Sequence, residues 1–276
     1  MITENKLYLD PKKVYIPLTD TESKIASVKV EVGDKVLQGT VLANKFNGKV
    51  KTSVLSSVSG EVVGFEEKLD RFGKTVDHCV VENDKLYTRI DLKSLPQEPT
   101  SAQIRNRLAE AGVTQVTIDG NYTDIDFKLP ISHILINIIS ENEPFITTDY
   151  MTLKQHAEEI ADGIQLLAKA AHTESITIIV DKKMDPEALE SIGKAVVDKG
   201  ITVVQVDATK VDGWDHKIAL SLVKSNLSNN LLENGILYTN STAALMVYDA
   251  VRENKTVSKR NVTVTGDGFI SNVNYE

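Results

Sequence analysis

The sequence predicts two domains in series: a small all-β domain over residues 1–95, then a parallel-sheet α/β domain over residues 96–258. Three observations predict this. Between Val14 and Ile90, short alternating runs are broken by Gly33, Gly39, Gly48, Gly60, Gly64 and Gly73, with no helical period between them. Leu95-Pro96-Gln97-Glu98-Pro99 carries two prolines that would interrupt a helix, so it reads as a linker. Beyond it, continuous apolar runs alternate with segments whose apolar residues recur every three or four positions.

Taken in order, Val28-Lys29-Val30-Glu31-Val32 alternates with period two, and Gly33-Asp34 turns the chain into Val36 and Leu37. After the linker, Thr100 or Ser101 can cap a helix whose Ile104, Leu108 and Ala111 share a face, and Gly112 stops it. Residues 113–127 read as polar and irregular. Ile134 to Ile139 is a continuous apolar run suited to a strand buried on both faces. Leu153, Ala157, Ile160, Ile164, Leu167 and Ala171 then mark the strongest helix of the chain. Ile176 to Val180 is a strand, Asp185-Pro186 opens a helix ending at Gly200, and Ile201 to Val206 is a strand. A helix is expected around Trp214 to Lys224. Ile236 to Thr239 is a strand, Asn240 or Ser241 caps a helix through Arg252, and Val262 to Gly266 is a last strand.

Composition removes several function classes. Of 276 residues, 41% are apolar and 25% charged, ordinary for a globular protein. A net charge of −8 with no basic block argues against nucleic acid as a partner. Nothing approaches the roughly 18 consecutive apolar residues of a membrane span. The first ten residues lack a signal-peptide core, so a cytoplasmic protein without direct membrane insertion is expected. Cys79 is the single cysteine. It excludes an intrachain disulfide and an iron–sulfur cluster, which needs about four cysteines. Within His78-Cys79-Val80-Val81 it reads as a buried strand thiol.

Few constellations carry chemistry. The five histidines stand apart from one another and from Cys79, with no metal-ligand spacing. Gly73-Lys74-Thr75 looks like the tail of a phosphate-binding loop, but Lys68 stands where that loop needs its first glycine. Glu158-Glu159 reads as solvated helix surface, and Asp215-His216 as helix neighbours pointing apart. Two strand-to-helix junctions remain, Ser140 to Asp149 and Thr239 to Ser241, predicted on the same edge of the sheet. In an open α/β sheet, ligands bind at the carboxyl ends of strands. On local pattern alone, Ser140 to Asp149 is a capped loop with solvated acids.

Two phrases, Val32-Gly33-Asp34-Lys35-Val36-Leu37-Gln38-Gly39 and Ser56-Ser57-Val58-Ser59-Gly60-Glu61-Val62, resemble the halves of a biotinyl/lipoyl-type barrel-sandwich hybrid. Lys45, Lys49 and Lys51 lie between them in none of the settings of a modified carrier lysine, so a structural hybrid domain is expected. Further phrases extend the resemblance nearly end to end. Val14-Tyr15-Ile16-Pro17-Leu18, Val80-Val81-Glu82-Asn83-Asp84, Val247-Tyr248-Asp249-Ala250-Val251-Arg252-Glu253 and Arg260-Asn261-Val262-Thr263-Val264-Thr265-Gly266-Asp267 fall in order. Between them, Glu141-Asn142-Glu143-Pro144-Phe145-Ile146-Thr147-Thr148-Asp149 looks like a Glu-Cys-Glu-Pro-Tyr-Leu-Thr-x-Asp signature. Together they resemble the RnfC family, the soluble subunit of membrane electron-transfer complexes coupling NADH and ferredoxin. Relatives attached to proline reductase and to cobalamin reduction are similar too.

The resemblance implies a fold: a β barrel-sandwich hybrid followed by a parallel-sheet α/β domain like the NADH-binding flavoprotein subunit of complex I. It also implies that residues 259–276 begin a small β-grasp module of SLBB type. In the family an eight-cysteine ferredoxin domain follows, so this chain reads either as a fragment or as one without the electron-carrying end. FMN and NADH are the implied cofactors. The family's flavin loop, of the type Gly-x-Gly-Gly-Ala-Gly-Phe-Pro-Thr, should follow Gly112-Val113. There stands Thr114-Gln115-Val116-Thr117-Ile118-Asp119-Gly120-Asn121-Tyr122-Thr123-Asp124, in which only Gly120 and Thr123 fit. Side chains at Thr117 and Ile118 crowd a phosphate. Asp119, Asp124 and Asp126 oppose an anion by about 1 kcal/mol per close pair even in water. Asn142 replaces the signature's cysteine, and the family's Asn-Val-Gly-Thr becomes Asn240-Ser241-Thr242-Ala243.

The expectation is therefore an RnfC-like subunit with a degenerate flavin and NADH site, acting in docking or assembly beside other subunits of a membrane or soluble redox complex. No cofactor is expected in this chain, and any membrane association would be peripheral, through the complex. The alternative is an active NADH- and flavin-linked subunit whose remodelled loop binds nucleotide through Gly120, Glu141, Glu143 and Asn240. A third reading is a stand-alone binding module in which the hybrid domain recognises a partner.

Overall fold

The computed structural model describes residues 4–5, 11–19, 25–47, 50–69, 73–116, 122–125, 127, 130–139, 148–207, 235–256 and 264–265. It divides into two compact units, one of residues 1–94 with 109–112 and 254–276, the other of residues 95–108 with 113–253.

The first unit is all β. Its strands are β1 (Glu4–Asn5), β2 (Lys13–Pro17), β3 (Ile25–Val28), β4 (Lys35–Val36), β5 (Val41–Asn47), β6 (Val50–Leu55), β7 (Gly60–Leu69) and β8 (Thr75–Asn83). An antiparallel sheet in the order β2-β8-β7-β4 and a second in the order β3-β5-β6 contribute to one core. Val36, Val62, Cys79 and Val81 come from the first sheet, and Leu42, Ala43 and Val54 from the second. The two-residue period is visible on β2. Val14 and Ile16 pack on the core while Tyr15 points outward, with the Lys68 ammonium 4.5 Å above its ring. Cys79 is fully buried, and burial pushes its thiol pKa up, which leaves it an inert core residue. Thr75 opens a strand rather than a helix, so Gly73-Lys74-Thr75 has none of the context of a phosphate loop.

One expected strand is displaced. The alternating residues 28–32 contribute only Val28 to a strand. After Lys29 N–H donates to Leu42 O at 2.8 Å, the Asp34 carboxylate accepts the Glu31 N–H at 2.8 Å and folds the chain into a turn. Val32 is left 63% exposed. A short Asp side chain that satisfies a backbone donor locally outcompetes the ladder that alternation alone suggests.

In the second unit, α1 (Ser101–Ala111) carries the expected cap in reciprocal form. Gln103 N–H donates to Thr100 Oγ1 at 3.3 Å, and Thr100 N–H donates to Gln103 Oε1 at 2.8 Å. Gly112, at φ +72°, ends it. There follow β9 (Thr114–Val116), β10 (Tyr122–Asp124), β11 (His133–Asn137), α2 (Thr148–Ala171), β12 (Ile176–Asp181), α3 (Pro186–Ala195), β13 (Ile201–Val206), β14 (Ile236–Asn240) and α4 (Ser241–Arg252). A last strand, β15 (Val264–Thr265), pairs antiparallel with β1 in the first unit. Arg105 Nε donates to Ala170 O at 2.7 Å and Arg107 Nη1 to Ala250 O at 2.8 Å, so α1 supplies cations to the carbonyl ends of α2 and α4.

Four parallel strands form the sheet β13-β12-β11-β14. Every residue of β11 is buried, as a strand covered on both faces requires. The chain builds β11, β12 and β13 outward in one direction, then returns to place β14 on the other side of β11. That order is the doubly wound 3-2-1-4 arrangement, with its reversal between β11 and β14. α2 packs against both α3 and α4. It consists of two helical stretches joined at His156, whose φ −135° and ψ 28° are not helical. His156 Nδ1 lies 3.3 Å from Glu159 Oε1 across that break. Before it, Lys154 Nζ lies 3.0 Å from both Asp185 and Glu187, tying α2 to the first turn of α3. Asp185 caps α3 through the amides of Ala188 and Glu187, and these with Lys154 hold its carboxyl below the usual range. The helix expected to reach Gly200 stops at Ala195, because Asp198 takes φ +61° and the intervening residues form turns.

His133 opens β11 at the amino edge of the sheet. It is 2% exposed, and its Nδ1 lies 2.6 Å from Ser175 Oγ. Burial lowers its pKa from the ordinary 6.5, so the unfolded chain binds a proton that the folded chain refuses. Stability from this residue is present above the unfolded value and drains away as pH falls through it. Melting curves between pH 7.5 and 5.5 should show the native chain losing stability faster than His133→Gln. Parallel pH profiles for the two proteins would refute this assignment.

Candidate functional site

The reversal of strand order places the carboxyl ends of β11 and β14 side by side, with Asn137 and Asn240 as direct register partners. This is the crevice where a doubly wound sheet accepts ligands. Asn137 is 3% exposed, and its Oδ1 accepts the Ile139 N–H at 3.0 Å, turning the chain out of the strand. Asn240 has extended backbone, φ −131° and ψ 175°, and its Oδ1 accepts the Ala243 N–H at 2.9 Å as the N-cap of α4. Thr239 and Ser241 on either side are almost fully buried. The N-terminus of α4 thus opens beside the end of β11, and its positive end would favour an anion there. Its leading amide is already claimed by its own cap.

Asn240 occupies the position the sequence suggests. Gly120, Glu141 and Glu143 lie outside the described residues, as do Ser140, Asn142, residues 144–147, the helix expected over 214–224 and the pair Asp215-His216. Thr148 and Asp149 begin α2. Asn137 is the residue that sequence reasoning missed. Its signal is an asparagine interrupting the apolar run 134–139, where a side-chain acceptor signals a turn. Glu158 is exposed surface as expected, 3.0 Å from Lys199. Glu159 is drawn in toward His156, its side chain only 34% exposed. Among the described residues no His, Cys, Asp and Glu group could hold a metal ion, and no helix is long and apolar enough to cross a membrane.

The segment expected to be irregular between residues 113 and 127 is a short hairpin at its base. β9 and β10 pair antiparallel, Thr114 with Asp124, Gln115 with Thr123 and Val116 with Tyr122. Antiparallel strands engage each other's backbone N–H and C=O groups. A phosphate cradle instead needs successive amides left to converge on an anion. The six paired residues do not fit that role, and none of them is glycine.

Asn240→Ala should cost about 1 kcal/mol of stability through the lost cap, while Asn240→Asp should retain most of it. Urea titration of the two variants measures the difference; equal losses would show that the cap contributes nothing.

An all-β hybrid unit followed by a doubly wound parallel sheet defines the class: a two-domain chain of the complex I flavoprotein type, with a barrel-sandwich hybrid at its front. Comparison with known families agrees. Residues 4–86 match the RnfC barrel sandwich hybrid domain, and residues 114–249 match the Nuo51 FMN-binding domain. The chain belongs among the RnfC-like proteins. It is 25% identical over 271 residues to the RnfC-type subunit of the Na(+)-translocating ferredoxin:NAD(+) oxidoreductase complex of Acetobacterium woodii, covering 94% of this chain and 60% of that one. It is 24% identical over 273 residues to the corresponding subunit of the ion-translocating oxidoreductase complex of Vibrio cholerae, covering 94% and 34%. The chain therefore spans between about a third and three fifths of the length of these relatives. A solved NAD+-reducing [NiFe]-hydrogenase in its H2-reduced state aligns with 56% of this chain and 32% of its own, at 15% identity and a TM-score of 0.41, a likeness too slight to argue from.

Proposed function

We propose that this chain serves as an RnfC-like subunit of an electron-transfer complex, in a docking or assembly role, with a flavin and NADH site that has degenerated. Its partners would be the other subunits of a membrane or soluble redox complex, and any membrane attachment would come through them. The domain bounds that go with this reading are 1–95 for the hybrid, 96–258 for the α/β domain and 259–276 for the start of a β-grasp module. The subunit role rests on its similarity to relatives that are named as subunits of ion-translocating oxidoreductase complexes. The loss of the nucleotide site rests on one observation. Where the family resemblance implies a glycine-rich phosphate loop, Thr114 to Val116 and Tyr122 to Asp124 form paired strands bearing side chains. An anion brought to that hairpin meets Asp124 and no bare amide array.

The test is a flavin titration of the purified chain. FMN should fail to bind stoichiometrically, and NADH should fail to reduce an artificial electron acceptor. A yellow one-to-one complex, or NADH-dependent dye reduction, would overturn the docking role.

One observation favours a second reading, in which nucleotide still binds through Glu141, Glu143 and Asn240. The order of the parallel strands brings Asn240 and the N-terminus of α4 to the crevice beside β11. Under that reading FMN binding is detected in the same titration, and Asn240→Ala weakens it tenfold or more while Asn240→Asp weakens it through charge repulsion. Under the docking reading neither variant alters a flavin signal, because there is none to alter.

A further inference from the structure

We draw no further inference here: the strongest candidate, the groove of about 740 Å³ at the amino edge of the parallel sheet, lined by Lys169, His172, Lys199 and Arg252 together with Glu98 and Asp162, carries nothing because its two lysines are already matched by the carboxylates of Glu98, Glu158 and Asp162 and nothing in the structure shows what occupies it.

Discussion

Gly163→Leu should abolish folding of the α/β unit, and even Gly163→Ala should cost about 3 kcal/mol or more. Gly163 lies where α2 meets α4. A Cβ built on it would sit 1.9 Å from the Ala244 carbonyl oxygen, 2.8 Å from the Ala244 carbonyl carbon and 3.3 Å from the Tyr248 nitrogen. All three are backbone atoms, so no side chain can rotate away to make room. Relief requires the helices to separate, which would open the contacts of Ile160, Ile164 and Leu167 on one side and Leu245 and Val247 on the other, all fully or almost fully buried. Gly193 in α3 is the control. A Cβ there meets nothing within 4 Å, so Gly193→Ala should be neutral or stabilise by about 0.5–1 kcal/mol through helix propensity. Denaturant midpoints followed by far-ultraviolet circular dichroism measure both. A Gly163→Ala protein as stable as the native chain would mean that the helices do not approach this closely.

The long helix shows how far the amino-acid pattern reaches. Leu153, Ala157, Ile160, Ile164 and Leu167 recur at helical spacing, and all five are buried. The break at His156 has no such signature, since neither proline nor glycine stands beside it. It arises where one stretch is held by α3 through Lys154 and the next crosses α4 at Gly163, a matter of tertiary packing. The same division holds in the strands. Buried β11, β12 and β14 are continuous apolar runs and read directly, whereas residues 28–32 alternate as a strand should and still fold into a turn, because Asp34 lies three residues beyond Glu31. The β9–β10 hairpin is not legible in the pattern because three-residue polar strands carry no period to detect.

Of the site, the edge was legible and the neighbours were not. Continuous apolar strands alternating with helices require a parallel sheet, so their carboxyl ends must share an edge. Which two strands lie adjacent there depends on where β14 inserts, and only long-range packing decides that. Asn240 was readable as a polar residue between an apolar strand and an apolar helix. Asn137 acquires meaning through its register partner on β14.

Asn137→Leu should cost about 2 kcal/mol, from the 1–3 kcal/mol typical of a buried donor left without its acceptor. Leucine nearly matches asparagine in volume, so the substitution removes polarity with little change in packing. In the native chain the Asn137 oxygen accepts the Ile139 N–H, and both residues are less than a twentieth exposed. The next amide, Ile138 N–H, is held separately by Ile179 O at 2.9 Å, so the strand itself should survive. The loss therefore falls on the turn, which fixes where residues 140–147 begin and hence where the chain carrying Glu141 and Glu143 leaves the sheet. Asn137→Asp would keep an acceptor but bury a carboxylate, making its penalty grow as pH rises above the carboxylate range. Hydrogen exchange resolves these cases at one amide. Ile139 should exchange faster in Asn137→Leu while Ile138 keeps its protection, and unchanged exchange at Ile139 would show that the asparagine does not hold the turn. If the acidic junction contributes to docking, Asn137→Leu should also reduce assembly with the partner subunits more than Gly193→Ala does, since it alters how the chain enters that junction.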